Sequence, residues 1–247
     1  MKTALLWLAC LVTPYVSCAG EMLRVAVASN FYPTLQSLSN TFSQKTGIGV
    51  SLSSASSGTL YAQIVNGAPF DLFLSADALR PRRLQEQQLI LAGSRKTYAL
   101  GKLVLWIPGQ TEPTIQRLQD VSGRIAIANP RVAPYGSAAK QVIEHADLWT
   151  QLQGKLAMGN NITQTYQFVR SGNAAAGFVA LSQVVKSAEQ MLIVPQAWYQ
   201  PIEQQLVILK RTKQQQLAQQ LSDYLLSEPV QRTLATLGYW QAGSVIP

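Results

Sequence analysis

Four short stretches gather hydroxyl, amide and small residues where an apolar run gives way to a helical pattern. They are AVASNFYP (26–33), SSASSGTL (53–60), ANPRVAPYGSAAK (128–140) and GNNITQTY (159–166). A helix start needs one such residue as its cap, so any single corner of this kind reads as capping. The stretch 51–60 exceeds that need, with hydroxyls at Ser51, Ser53, Ser54, Ser56, Ser57 and Thr59. Each helix start also carries backbone N–H groups without helical partners and a partial positive charge. Several aimed at one point would hold an anion.

The charges in these corners narrow the anion. None of the four contains Asp or Glu, and the only cations are Arg131 and Lys140 in the third. A fully ionised tetrahedral oxyanion offers acceptors alone and is served by donors alone. Hydrogen phosphate brings an O–H that calls for an acceptor, typically a carboxylate. A dianion without a countercharge must recover its lost hydration through many hydrogen bonds. The composition therefore points to sulfate, molybdate or tungstate and away from phosphate.

Catalytic readings find less support. His145 is the one histidine, and no G-x-S-x-G, G-x-x-x-x-G-K-[ST] or G-x-G-x-x-G pattern occurs. Asp71 and Asp77, in PFDLFLSAD, read as a strand start and a helix cap rather than an acid–base pair. No catalytic residue is assigned. Both cysteines, Cys10 and Cys18, fall in the N-terminal segment, so neither a disulfide nor a cysteine or histidine metal site is expected in the mature chain.

The elements that must position these corners alternate. LRVAVAS (23–29) reads as a buried strand. The next segment reads as a helix capped by Asn30, with Pro33 in its first turn, Leu35, Leu38 and Phe42 on one face, and Gly47 just past its end. IGVSLS (48–53), a helix over 57–66 and FDLFLSA (70–76) complete a βαβαβ run, which implies a parallel sheet covered by helices. Following a loop at 92–98, further strands are expected at 102–108, 124–129, 154–159, 174–181, 191–196 and 203–210. Helices are expected at 137–147, 163–171, 213–226 and 228–237. So many strands in 247 residues favour two α/β lobes. In parallel α/β sheets the ligand crevice lies outside the carboxyl ends of the strands, where all four corners fall.

The chain opens MKTALLWLACLVTPYVSCAG, one lysine followed by an apolar run too short to span a bilayer and then small residues. This predicts an exported protein with a signal peptide over 1–19, Ser17 and Ala19 standing at −3 and −1 of a cut before Gly20. Lipoprotein processing at Cys18 is the rival, disfavoured by Tyr15 where such sites prefer leucine. The net charge is +8, yet only 13 % of residues are charged, and the densest basic cluster is RPRR (Arg80, Arg82, Arg83). Scattered cations of this kind do not form the stripe of a nucleic-acid binder.

The segments VAVASNF, SSASSGTLYAQIVNGAPFDLFLSAD, ANPRVAPYGSAAK and AAAGFVALSQV, in this order and spacing, resemble the periplasmic molybdate-binding proteins of ABC importers along essentially the whole mature chain. The resemblance implies a type II periplasmic-binding-protein fold: two α/β lobes, each a mostly parallel sheet flanked by helices, joined by two crossover strands. One lobe would take 20–100 with 202–247, the other 101–201. It implies a monomeric receptor that captures molybdate, and tungstate too, and delivers it to a membrane permease and ATPase. No cofactor is implied. The oxyanion would be held by Ser29 and Asn30 at the first corner, by Ser57 through hydroxyl and backbone, and by the backbone N–H groups of Tyr135 and Ile162. The metal would be reached only through its oxygens, with no direct metal ligand. Some members carry a tyrosine after AAAGF that touches the ligand, where this chain has Ala180. That substitution bears on selectivity over sulfate. A sulfate receptor, or an enzyme on the same scaffold, are the competing readings.

Overall fold

The computed structural model describes residues 22–187 and 189–240; the signal-peptide expectation lies outside them. Two five-stranded sheets organise the chain. The first contains β1 (Met22–Ala28), β2 (Gly49–Ala55), β3 (Leu72–Ser75), β4 (Lys96–Gly101) and β10 (Ile202–Ile208), in the order β2-β1-β3-β10-β4. The second contains β5 (Leu103–Trp106), β6 (Ile125–Ala128), β7 (Leu156–Gly159), β8 (Ala176–Ala180) and β9 (Leu192–Ile193), in the order β7-β6-β8-β5-β9. The chain passes between the sheets at Lys102 and returns ahead of Ile202.

Each sheet is mixed rather than mostly parallel. β1 runs parallel to β2 and β3, and β6 parallel to β7 and β8, whereas β10 is antiparallel to β3 and β4, and β5 to β8 and β9. The parallel pairs are those joined by helices: α1 (Tyr32–Thr46), α2 (Ser57–Val65), α4 (Pro134–His145) and α6 (Ile162–Arg170). Their central strands are buried on both faces and so read as continuous apolar runs, as in LFLS and IAIA.

α1 buries Leu35, Leu38 and Phe42 and ends at Gly47, whose φ of 75° is the left-handed conformation that glycine adopts without penalty. The helix does not begin as expected. Its N-cap is Phe31, without a side-chain cap, and the Asn30 side chain turns elsewhere. A helix follows Asp77, whose carboxylate accepts from the Arg80 N–H, and one strand arises where none was expected. α3 (Leu79–Glu86) forms around Pro81, which sits in the first turn where no N–H is needed, and buries only Pro81 and Leu84. β4 occupies part of the expected 92–98 loop; it is made by pairing with β10, about a hundred residues later, and by a bridge from Leu100 to Trp240. A short helix α5 (Trp149–Leu152) and a single turn α7 (Leu181–Val184) complete the second half. The helices α8 (Gln215–Leu226) and α9 (Glu228–Thr236) pack on the first sheet over Leu206, Ile208 and Tyr98. Among the described residues no helix is long and apolar enough to cross a membrane.

Candidate functional site

The four corners converge from both sheets. Ala28 and Ala76, at the ends of β1 and β3, share one buried cluster with Ala128, Ala133, Tyr135, Ile162 and Ala180 from the second half. Hydrogen bonds cross between the halves at the same place. The Gly58 N–H donates to the Val132 carbonyl (2.8 Å), and the Thr163 hydroxyl donates to the Ser29 carbonyl (3.1 Å). The first corner thus faces the fourth, and the second faces the third. Gly58 has to be glycine here, because a Cβ would stand 2.8 Å from the Val132 Cα.

Ser29, Asn30, Ser57, Tyr135 and Ile162 are all buried, none more than 6 % exposed. Ser57 is the first residue of α2, after Ser56, whose hydroxyl takes the capping role by accepting from the Thr59 N–H (3.3 Å). The Ser57 hydroxyl accepts from the Ala76 N–H (2.9 Å) and so has its proton available to donate. Ile162 opens α6 in the same way, after Asn161, which caps by accepting from the Gln164 N–H (3.0 Å). Tyr135 follows Pro134 at the start of α4, where the N-cap, Ala133, has no capping side chain. The backbone N–H groups of Asn30, Ser57, Tyr135 and Ile162 have no protein acceptor among the described residues. Those of Ser57, Tyr135 and Ile162 are the orphan donors that helix starts leave, and that of Asn30 lies in the turn just ahead of α1.

The three other hydroxyls in SLSSASSGTL have a plainer position. Ser51, Ser53 and Ser54 are exposed on β2, an edge strand that runs on to Ala55.

Behind the first corner lies a polar network that the sequence did not suggest. The Asn30 amide donates to Gln204 Oε1 on β10 (2.8 Å), and that oxygen also receives the Tyr98 hydroxyl (3.2 Å). The Tyr239 hydroxyl donates to the Asn30 carbonyl (3.1 Å). Tyr135 reaches across from the second half, so close that a Cβ on Gly101 would meet its hydroxyl at 2.3 Å. Burial pushes the phenols of Tyr98, Tyr135 and Tyr239 above their usual range; neighbouring tyrosines add to the effect at Tyr98 and Tyr135, while side-chain hydrogen bonds offset part of it at Tyr239. At the fourth corner, Gln183 performs a comparable service. Its Oε1 accepts from the Ala180 N–H (3.0 Å) and its Nε2 donates to the Ile162 carbonyl (3.3 Å), tying the end of β8 to the start of α6. Gln204 acts from 174 positions away, where no local pattern marks it, whereas Gln183 combines a local bond to Ala180, three residues back, with one to Ile162.

The charged candidates are accounted for elsewhere. Asp71 accepts from the Arg24 N–H and the Thr212 hydroxyl at the far end of the first sheet. Asp77 accepts from the Ser75 hydroxyl and the Arg80 N–H and pairs with the Arg80 guanidinium. The two are not an acid–base pair. Among the described residues, no cluster of three His, Cys, Asp or Glu side chains is placed to hold a metal ion. His145 is exposed at the end of α4 and lies against Trp198.

Residues 23–239 match the family of bacterial extracellular solute-binding proteins. The molybdate-binding protein ModA of Azotobacter vinelandii is 41 % identical over 91 % of this chain and 92 % of its own length. ModA of Rhodobacter capsulatus is 40 % identical over 90 % and 88 %. The solved structure of the Azotobacter vinelandii periplasmic molybdate-binding protein superposes with a TM-score of 0.83 at 39 % identity, covering 91 % of this chain and 99 % of that one. The fold, the four carboxylate-free corners and these matches lead to one assignment: the chain belongs to the bacterial extracellular solute-binding proteins, and within them to the molybdate-binding protein family.

Proposed function

We propose that this chain is the periplasmic receptor of an ABC importer, capturing molybdate and, by the same donor set, tungstate. The observation that carries the reading is the meeting of four strand-to-helix corners, none with a carboxylate, at which the backbone N–H groups of Asn30, Ser57, Tyr135 and Ile162 have no protein acceptor among the described residues. Ser29, Asn30, Ser57, Tyr135 and Ile162 would surround the anion, with hydroxyl and amide donors on one side and backbone donors on the other. The metal would be reached only through its oxygens. Residues 20–100 with 202–247 would form one lobe and 101–201 the other, closing on the anion and so shifting a population of open and closed forms. The closed form would be what the permease and its ATPase recognise. The receptor acts as a monomer, without a cofactor, and makes or breaks no bond. Residues 1–19 would direct export and then be removed from the mature chain.

Calorimetric titration with molybdate, tungstate, sulfate and phosphate tests the reading. Tight binding of the first two, weaker binding of sulfate and none of phosphate is the expected order. Sulfate binding as tightly as molybdate would reassign the receptor. That outcome has a structural motive, since Ala180 brings no hydroxyl to a position where some relatives place a tyrosine. Turnover that disappears in Ser57→Ala while anion binding survives would instead identify an enzyme.

A further inference from the structure

Two cavities flank the meeting point of the corners, and their chemistry differs. One, of about 370 Å³, borders the first and fourth corners through Ser29, Asn161 and Thr163 and is lined by no charged residue. The other, of about 600 Å³, borders the third corner and the turn after β3, and is lined by Arg80, Arg82, Arg83 and Arg131. Its innermost wall includes Ala76, whose N–H binds the Ser57 hydroxyl, and Ala133 and Pro134, which lead into Tyr135. It is walled from both halves of the molecule and abuts the proposed anion site through these residues, although none of the five site residues lines it.

The balance of charge in this second cavity is positive. Asp77 is the only carboxylate in its lining, and it is taken up by Arg80. Arg82 reaches Glu86 only loosely, at 3.7 Å, with both side chains more than half exposed. Arg83 and Arg131 have no carboxylate partner among the described residues. Arg80 also donates to the Arg131 carbonyl (3.2 Å), a bond between the two halves at this flank. The four anion-binding corners themselves offer only two cations, Arg131 and Lys140, and Arg131 is one of this cavity's walls.

We propose that this arginine-lined flank steers the ligand of the receptor: a doubly charged tetrahedral oxyanion is drawn toward the junction of the halves by Arg82, Arg83 and Arg131 before it binds to neutral donors. The proposal rests on the oxyanion reading above. Neutral donors within a buried site discriminate by geometry but attract weakly over distance. A low-dielectric cleft lined by one sign of charge focuses its field and raises association rates. Separating attraction from final binding leaves the buried site free of a fixed ion pair that would slow release.

The test is stopped-flow tryptophan fluorescence of molybdate association on the full mature chain and on an Arg82→Gln/Arg83→Gln variant. The control is Arg24→Gln/Lys213→Gln, which removes the same charge from a separate cavity at the other end of the first sheet. At about 0.01 M ionic strength, where the Debye length is about 30 Å, the arginine variant is expected to associate about tenfold more slowly. At about 1 M salt, where that length is about 3 Å, it should match the unaltered chain. Dissociation should be unchanged at both, and the control should associate normally. Equal association of the arginine variant at low salt would overturn the proposal, as would equal slowing by the control, which would make the effect one of net charge. A failure of the unaltered chain to bind molybdate, tungstate or sulfate by calorimetry would instead overturn the oxyanion reading on which it stands.

Discussion

The two halves bring different chemistry to the cleft. The first presents side chains, Ser29, Asn30 and Ser57, whose polar atoms are buried at the ends of β1 and β2. The second presents Tyr135 and Ile162, whose side chains pack into the shared core while their backbone N–H groups have no protein acceptor among the described residues. On the proposed reading the first half therefore adds side-chain donors to the backbone N–H groups of Asn30 and Ser57, while the second relies on where its backbone runs. A backbone donor cannot be deleted by truncating a side chain, so the second half should yield only to changes that move the chain.

The largest effect is expected from Gly136→Ala. A Cβ there would stand 2.0 Å from the Ala128 carbonyl oxygen, backbone against backbone, with no flexible side chain to give way. Forcing α4 off β6 should cost about 3 kcal/mol of stability or more and displace the Tyr135 N–H. Thermal melting and calorimetry would show both losses, the second at about 100-fold or more. Near-normal binding in that variant would mean that the third corner does not contact the anion.

Ser57→Ala comes next. It removes the hydroxyl proposed to donate to the anion and leaves the Ala76 N–H without its partner. A loss of about 1.5–3 kcal/mol is expected, or about 10- to 100-fold in affinity by titration, with the fold intact.

High pH should loosen the junction between the halves. The folded-state pKa values of Tyr98, Tyr135 and Tyr239 lie above the ordinary 10.0. Their contribution is thus fully present below pH 10 and is lost as the pH rises past the unfolded value toward the folded one. A melting temperature flat across pH 7–9 and falling above about 10 is the expected profile. A decline already below pH 9 would have to come from other groups.

The smallest effect on binding is expected from Ile162→Val. Loss of a buried methylene should cost about 0.5–1.5 kcal/mol of stability yet leave the anion affinity within about twofold. A large loss of affinity would show that the fourth corner, too, depends on its side chain and would erase the contrast between the halves.

How much of this was legible in the sequence follows the same contrast. The alternation of short apolar runs with amphipathic stretches reveals β1, α1, β2, α2 and β3 because both periodicities are local. The Ser57 corner stands out because six hydroxyls exceed what capping requires. Tyr135 and Ile162 enter through resemblance alone, since a backbone donor leaves no mark on residue type. Asn30 was expected to cap α1, yet Gln204 on β10 captures its amide from 174 positions away. β4 escaped detection because it carries no strong apolar pattern of its own, and α3 was marked only through Asp77 as a cap.

By itself, then, the sequence determined the α/β class, the places where strands hand over to helices, and the absence of charge at three of the four corners. Those properties depend on residue type and on spacing within one turn or one strand. Tertiary structure alone decided the mixed sheets, the pairing of the first corner with the fourth and the second with the third, and the gathering of Arg80, Arg82 and Arg83 with Arg131 around one cavity. Each of these joins residues far apart in the chain, and such contacts follow from how the whole core packs rather than from any local preference.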